Sequence, residues 1–243
     1  MNHENGEIMG EEIEILTSGQ RLFNIFYSPG KVFKSINHKP NFWLPMIITM
    51  VISLLFYLAY SGPFGEIMMT TLEAQAATNQ AMTPELIETL VKIFSIAAII
   101  IAPFSVAFMI FLSALFYWLG SMIFKGHGSY MKYVSIMAHV GLISTISLIV
   151  TGLMYLISGE FLLDRPITSL ASLLPDSMKM TMLDGLLLNF EVFSIWRLIL
   201  IAIGIQEISG LTRKKAFVIV GVIFSIGILL TCGSLLLNTI SYN

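Results

Sequence analysis

Charged residues are scarce in this chain of 243 residues. They make up 12% of the sequence, about half the usual share in soluble domains, while apolar residues make up 56%. This composition excludes an ordinary soluble domain. The single cysteine, Cys232, has no partner for an intramolecular disulfide, and the net charge of −2 gives no basis for nucleic-acid binding.

Catalytic and cofactor-binding motifs are also missing. The sequence has no H-E-x-x-H helix, no G-x-S-x-G nucleophile elbow, no phosphate-binding loop and no cysteine–histidine metal spacing. We therefore predict a protein that is not an enzyme and that holds no cofactor or metal. A cleavable signal peptide is not predicted either, because five glutamates lie within the first 14 residues, where a basic segment is required.

Long apolar stretches fill about half of the chain, at residues 42–61, 93–124, 133–158, 188–205 and 216–237. An α-helix needs about 20 apolar residues to cross ~30 Å of hydrocarbon. The sequence therefore predicts an all-α, polytopic integral membrane protein with five transmembrane helices and additional short interfacial or amphipathic helices.

We divide the chain into an N-terminal cytoplasmic arm (1–27), an interfacial amphipathic helix (28–41), a five-span membrane domain (42–237) and a short outer tail (238–243). Ser28 is a candidate N-cap, and Pro29 suits the first helical position. Val32, Phe33 and Ile36 share one face of this predicted helix. We expect this helix to lie in the cytoplasmic membrane interface as an anchor, with the neighbouring lysines near anionic headgroups. The alternative is a helix that docks a partner.

The two predicted outer loops also contain helical patterns. Thr83-Pro84-Glu85 is a typical helix start, so we expect a helix from there to Phe124, about 60 Å long. Residues 159–187 are too polar to span the membrane, yet they contain many leucines and methionines. We expect short amphipathic helices there, packed on the outer face.

Basic residues are distributed unevenly between the two sides of the predicted spans. Nine lie in the N-terminal arm and in the turns after the second and fourth spans: Arg21, Lys31, Lys34, Lys39, Lys125, Lys132, Arg213, Lys214 and Lys215. Three lie on the other side: Lys92, Arg165 and Lys179. The positive-inside rule then predicts a cytoplasmic N-terminus and an external C-terminus. Seven of the nine, all but Arg21 and Lys39, form a candidate cytoplasmic surface for lipid headgroups or a partner.

Two ionisable residues lie within predicted spans. By helical rise, Arg197 is about 14 Å and His139 about 9 Å from the cytoplasmic boundary, so we expect them at a similar depth. Either they belong to a polar cavity for an anion, a headgroup or a proton, or they are interhelical hydrogen-bonding groups, with the arginine reaching toward water. Glu191 is the third residue of this candidate intramembrane polar site. It is nearer the outer interface on a different helical face, so an ion pair with Arg197 is not expected.

Three groups of residues follow one another around the predicted spans. They are Ser28-Pro29-Gly30-Lys31-Val32-Phe33 with Lys39-Pro40-Asn41-Phe42-Trp43-Leu44-Pro45; Gly126-x-Gly128-Ser129-Tyr130-x-Lys132; and Asn189-Phe190-Glu191-Val192-Phe193-Ser194-Ile195-Trp196, followed by Leu198–Gly204 and Gly210–Ala216. In sequence and order they resemble the prokaryotic members of the Yip1 family. The resemblance extends from about Ser28 to Val220, most of the chain.

The resemblance implies a five-span helical membrane protein with a cytoplasmic N-terminus. Eukaryotic relatives associate with small GTPases and with each other, but this chain lacks their long N-terminal arm and their Asp-Leu-Tyr-Gly-Pro element, so small-GTPase binding is not carried over. We expect a non-enzymatic scaffold or adaptor in a prokaryotic plasma membrane, whose partners are the lipid bilayer, another membrane protein or a second copy of the chain. The alternative is a channel or carrier for an ion, a small solute or a lipid, built around Arg197 and His139.

Overall fold

The computed structural model of the protein describes residues 15–77, 81–161, 165–179 and 181–241. The described residues form nine α-helices: α1 (Ser18–Tyr27), α2 (Pro29–His38), α3 (Trp43–Ala59), α4 (Ser61–Ala76), α5 (Pro84–Ile123), α6 (Tyr130–Ser158), α7 (Met182–Leu188), α8 (Val192–Ser209) and α9 (Arg213–Ser241). Two short 3₁₀ turns occupy Leu170–Leu173 and Asp176–Met178. The first 14 residues of the predicted arm and the last two of the predicted tail lie outside the described residues.

Four of these helices, α5, α6, α8 and α9, are long and apolar enough to cross a membrane. α3 and α4 meet the same criterion only as a pair, and the pair is bent by 67° at Tyr60. By length and composition, the described part of the chain therefore has four candidate spans, or five if the bent pair is one span. The chain is an all-helical membrane protein, as its apolar stretches predict.

The fourth predicted span begins later than expected. α7 ends at Leu188, the backbone is extended at Glu191 (φ −107°, ψ 141°), and α8 then starts at Val192. The Glu191 carboxylate accepts a hydrogen bond from the amide of Ser194 at 2.7 Å. An N-cap of this kind satisfies an amide that the first helical turn leaves without a partner. The cap, and not the apolar pattern, fixes this helix boundary.

α6 lies at the centre of the bundle. It packs against α3, α5 and α8, and every residue from Tyr133 to Val140 is buried. Protein therefore covers this segment on all sides. By contrast, α5 and α9 carry large exposed apolar residues such as Phe104, Phe108 and Leu229, as expected for helix faces in contact with lipid.

α1 and α2 form a hairpin at one end of the bundle. Val32, Phe33 and Ile36 of α2 are fully buried on the side that packs against α8 and α6, while Lys31 and Lys34 are exposed. The amphipathic pattern thus predicts the buried face correctly, but it does not identify what covers that face. The ends of α8 and α6 cover these side chains, and the placement of α2 in the membrane interface stays a prediction.

Aromatic rings pack around the bend between α3 and α4. The Tyr60 ring stacks on Phe161, with centroids 5.6 Å apart, and meets the ring of Tyr155 edge-on at 5.6 Å. A Cβ atom at Gly152 of α6 would lie 2.7 Å from the Tyr60 hydroxyl oxygen. The missing side chain at position 152 therefore leaves room for the ring at the bend.

The segment before α8 is tied together by polar contacts. The Arg165 guanidinium forms an ion pair with Asp184 at 2.9 Å and donates to the Ala171 carbonyl at 2.6 Å. An isolated antiparallel bridge joins Ser169 to Glu191. With two 3₁₀ turns and α7, this segment has the short helical elements that the sequence predicts, and α7 packs on α9.

Candidate functional site

Three segments that contain or adjoin basic residues meet at one end of the bundle, which we call the basic end: the α1–α2 hairpin, the α5–α6 loop (124–129) and the α8–α9 loop (210–212). The His127 amide donates to the Ser209 carbonyl at 2.9 Å. Lys132 Nζ donates to Asn37 Oδ1 at 2.6 Å, and Asn37 Nδ2 donates to the Glu207 carbonyl at 3.0 Å. These bonds join parts of the chain that are 95 and 170 residues apart in sequence.

The seven residues of the candidate surface all belong to the segments of the basic end or adjoin them: Lys31, Lys34, Lys125, Lys132, Arg213, Lys214 and Lys215. Lys132 is half-buried and the other six are exposed. A surface that gathers this many cations creates a positive potential that attracts anionic groups.

Two motif glycines shape the α5–α6 loop against α8. Gly128 has φ +106°, a conformation that side chains disfavour, and a Cβ there would lie 2.8 Å from Ile208 Cγ2. A Cβ at Gly126 would lie 3.0 Å from Leu211 Cδ1. Trp118 Nε1 donates to the Gly128 carbonyl at 3.2 Å. The glycines therefore permit a close approach of the loop to the end of α8.

The other motif residues have packing or helix-end positions. Pro29 is the first residue of α2, as predicted, but the Ser28 side chain makes no capping hydrogen bond. The Trp196 ring meets Phe26 of α1 at 6.0 Å, which links α8 to the hairpin. Of the remaining motif residues, Pro45 and Phe193 pack in or against the core, Pro40 and Trp43 are exposed, and Gly30 adjoins open space.

Arg21 is a structural residue of the basic end that sequence reasoning missed. Its side chain is only 2% exposed. Nη1 donates to the Lys39 carbonyl at 2.8 Å, Nη2 to the Ser35 carbonyl at 3.2 Å and Nε to Ser35 Oγ at 3.2 Å. Burial lowers the pKa of this guanidinium. Its position four residues before the buried Ile25, on the same face of α1, is the sequence signal that indicates burial.

Arg197 lies between two cavities. The first, which we call the core cavity, has a volume of about 300 Å³ and lies between α3, α5, α6 and α8. The second, the rim cavity, has a volume of about 230 Å³ and lies near the start of α8. Arg197 and Ser144 line both. α8 begins at Val192, so Arg197 is about 7.5 Å from the start of the helix by helical rise. This start lies opposite the basic end, and the sequence predicts a position nearer the basic end.

Glu191 lies on the rim cavity, and its carboxylate is already occupied. Oε1 accepts from Thr168 Oγ1 at 2.9 Å and from Ser147 Oγ at 3.2 Å, and Oε2 accepts from the Ser194 amide at 2.7 Å. Within the described residues, Arg197 forms no ion pair with Glu191 or with any other carboxylate.

His139 lies away from both cavities. It is buried, and its Nδ1 is 2.7 Å from the Ser135 carbonyl of the preceding turn. It is not among the residues that line the core cavity or the rim cavity. On α6 the residue that reaches both cavities is Ser144, five positions or about 7.5 Å further along the helix. The structure therefore brings Ser144, and not His139, to Arg197.

Comparisons with known proteins give two similarities. The sequence profile of the Yip1 domain matches residues 23–234. The chain is also similar to the membrane protein YknW of Bacillus subtilis (strain 168), with 28% identity over 226 residues, which covers 93% of this chain and 94% of that relative. No solved structure is significantly similar to the chain.

Proposed function

The chain belongs to the Yip1 domain family, and on that basis we propose that it is a non-enzymatic scaffold or adaptor of the membrane. Its basic end faces the cytosol and binds anionic lipid headgroups or an acidic segment of a membrane-protein partner, which includes a second copy of the chain. The observation that supports this most is the joining of three distant basic segments into one end of the bundle by the bonds of His127, Lys132 and Asn37.

The proposed orientation follows from the charges of that end. Lysine and arginine near span ends favour the cytoplasmic side, and the described bases of the opposite end are few. The bacterial relative supports a prokaryotic plasma membrane as the location. With the bent pair α3–α4 counted as one span, five spans place the N-terminus and the C-terminus on opposite sides.

A preformed surface suits a scaffold. The hairpin is held by the buried Arg21 and by the apolar face of α2, so few residues must be ordered when a partner binds. Each lysine or arginine near an anionic membrane surface contributes about 1 kcal/mol to attraction. The exposed bases of α2 and α9 thus favour an anionic surface over a neutral one.

Site-specific photo-cross-linking tests the scaffold role. A photoreactive amino acid at Lys34 or Lys214, both exposed at the basic end, is expected to form discrete adducts with one protein or with a second copy. The same amino acid at Leu229, on the lipid-facing side of α9, is the control. Identical adduct patterns at all three positions would contradict the scaffold role.

A second candidate function is transport, for which the two cavities that share Arg197 and Ser144 are the specific support. In this alternative, a small channel or carrier moves an ion, a small solute or a lipid past Arg197. His139 lines neither cavity, so it acts at most through the packing of α6. Adjoining cavities with a few polar groups between helices of a membrane bundle are a common location for substrate sites.

Reconstitution tests transport directly. Proteoliposomes with the wild-type protein should release phosphate or chloride, or exchange a fluorescent lipid between leaflets, faster than those with Arg197→Leu. Lys92→Gln, a change at an exposed residue of α5 that lines neither cavity, serves as the control. Equal release or exchange rates for wild type, both variants and protein-free vesicles would exclude the transport function.

A further inference from the structure

Among the described residues, the Arg197 guanidinium has no counter-ion in direct contact. Its Nε atom is buried and has no hydrogen-bond partner. In the part of the chain that the structure describes, no carboxylate forms an ion pair with it. A cation in a membrane span is costly unless it is paired or hydrated, so residues of this kind mark candidate functional sites.

Glu191 is the described carboxylate that interacts electrostatically with the guanidinium, but it forms no ion pair with it. Its two carboxylate oxygens accept three hydrogen bonds, from Ser147, Thr168 and the Ser194 amide, at 2.7 to 3.2 Å. The last of these caps α8, so a move of the carboxylate toward Arg197 would expose the helix end. Tyr117, the other group that interacts electrostatically with the guanidinium, is a phenol and not a counter-ion at neutral pH.

The core cavity supplies further donors beside Arg197. The hydroxyls of Ser113 and Ser144 line it, and neither forms a hydrogen bond to another described residue. Val140 and Ile201 form part of the apolar wall of the core cavity. A guanidinium with free hydroxyls in a mainly apolar pocket suits a phosphate or a carboxylate, since arginine binds both with two parallel hydrogen bonds.

The core cavity reaches the surface that faces lipid. Ser105 and Met109 of α5 both line it and are exposed, Met109 at 54% of its area. α5 packs closely on α3 and α6 and only weakly on α8, the helix that carries Arg197. A ligand that enters past Ser105 and Met109 comes from the bilayer, with its anionic group toward Arg197 and its apolar part outside.

We propose that Arg197, with Ser113 and Ser144, binds the oxyanion group of an anionic membrane lipid in the core cavity. The same chemistry would hold a free phosphate that arrives through the rim cavity. The site is independent of the scaffold role, because no base of the basic end lines either cavity. It shares Arg197 with the transport candidate, but its occupancy is measured at equilibrium and not as flux. A bound anion without flux would therefore exclude the transport function and still support the binding site.

Two measurements on the whole protein test this site. In the first, wild type, Arg197→Gln and Lys92→Gln are reconstituted in bilayers of phosphatidylcholine and phosphatidylglycerol, extracted, and weighed by native mass spectrometry to count retained phosphatidylglycerol. In the second, the midpoint of thermal unfolding in detergent is compared in sodium phosphate and in sodium chloride of equal ionic strength.

We expect Arg197→Gln to lose a retained phosphatidylglycerol that wild type and Lys92→Gln keep. A phosphate-dependent rise in the midpoint for wild type and Lys92→Gln but not for Arg197→Gln, without a difference in retained lipid, would support the oxyanion site and assign its ligand to the aqueous phase. No difference between the variants in either measurement would overturn the proposal.

Two further variants keep the test decisive if Arg197→Gln does not fold. Ser113→Ala removes one hydroxyl from the core cavity, and Met109→Trp narrows its lipid-facing entrance, while both leave Arg197 in place. We expect each to reduce the retained phosphatidylglycerol. The proposal would be overturned if both variants retained as much phosphatidylglycerol as wild type and if Ser113→Ala did not weaken the stabilisation by phosphate.

Discussion

Ile136 of α6 packs directly over Gly204 of α8. A Cβ atom at position 204 would lie 2.9 Å from Ile136 Cγ2 and 3.1 Å from Ile136 Cδ1. Both residues are buried, so the isoleucine has little space into which to move. Small residues at helix crossings let membrane bundles bring their backbones close together. Arg197 lies about two turns from this crossing along α8.

Gly204→Ala is expected to destabilise the bundle. The added methyl group overpacks the crossing, and overpacking of this kind typically costs about 1–3 kcal/mol. The measurement is the midpoint of thermal unfolding in detergent, which should fall. Gly221→Ala in α9 is the matched control, because a Cβ there meets no atom within 4 Å, and its midpoint should not fall. Equal midpoints for the two variants would show that the α6–α8 crossing tolerates the added methyl group.

Arg21→Met should loosen the α1–α2 hairpin without unfolding the bundle. The change removes the donors to the Ser35 and Lys39 carbonyls, and a buried polar group left without a partner costs about 1–3 kcal/mol. Hydrogen exchange should accelerate across residues 15–41 and stay unchanged in α6. Lys34→Met, which removes an exposed cation from the same hairpin, is the control. Unchanged exchange in the Arg21 variant would mean that the arginine does not hold the hairpin.

Glu191→Ala should fray the start of α8. Loss of a side-chain N-cap costs about 0.5–2 kcal/mol, and here the alanine also leaves Ser147 and Thr168 without their acceptor. We expect faster hydrogen exchange at residues 194–197 and a lower midpoint, with Glu191→Gln between alanine and wild type, since an amide keeps one acceptor oxygen. Glu88→Ala, at an exposed site on α5, is expected to behave as wild type. If the glutamine and alanine variants match wild type, the cap does not set the helix start.

Cysteine labelling should establish the orientation. In a Cys232→Ser background, a cysteine at Lys214 should react with an impermeant maleimide only after cells are opened, because the positive-inside rule places it in the cytosol. A cysteine at Glu88 should react on intact cells, since α5, at 40 residues and about 60 Å, is long enough to extend beyond the bilayer. The reverse pattern would invert the proposed topology.

The sequence predicted the membrane class, the helices and the family from local information. Apolar stretches within α5, α6, α8 and α9 identify spans because a helix satisfies its own backbone groups in lipid. Thr83 and Pro84 correctly mark the start of α5, where the Thr83 hydroxyl accepts from the Leu86 amide at 3.3 Å. The motif resemblance is confirmed by the Yip1 domain profile. The count of five spans stays a prediction, because the bend at Tyr60 leaves α3 and α4 open to either interpretation.

By itself, then, the sequence determined that this chain is a helical membrane protein with its bases grouped in a few turns, because hydropathy and charge act along contiguous residues. Only the tertiary structure decided which polar groups meet. It placed Ser144 rather than His139 on the same cavities as Arg197, and it gave Glu191 hydrogen-bond partners 23 and 44 residues away. It also packed the apolar face of α2 against other helices of the protein. Such pairings depend on how separate helices rotate and cross, and the spacing of residues within one helix does not specify that.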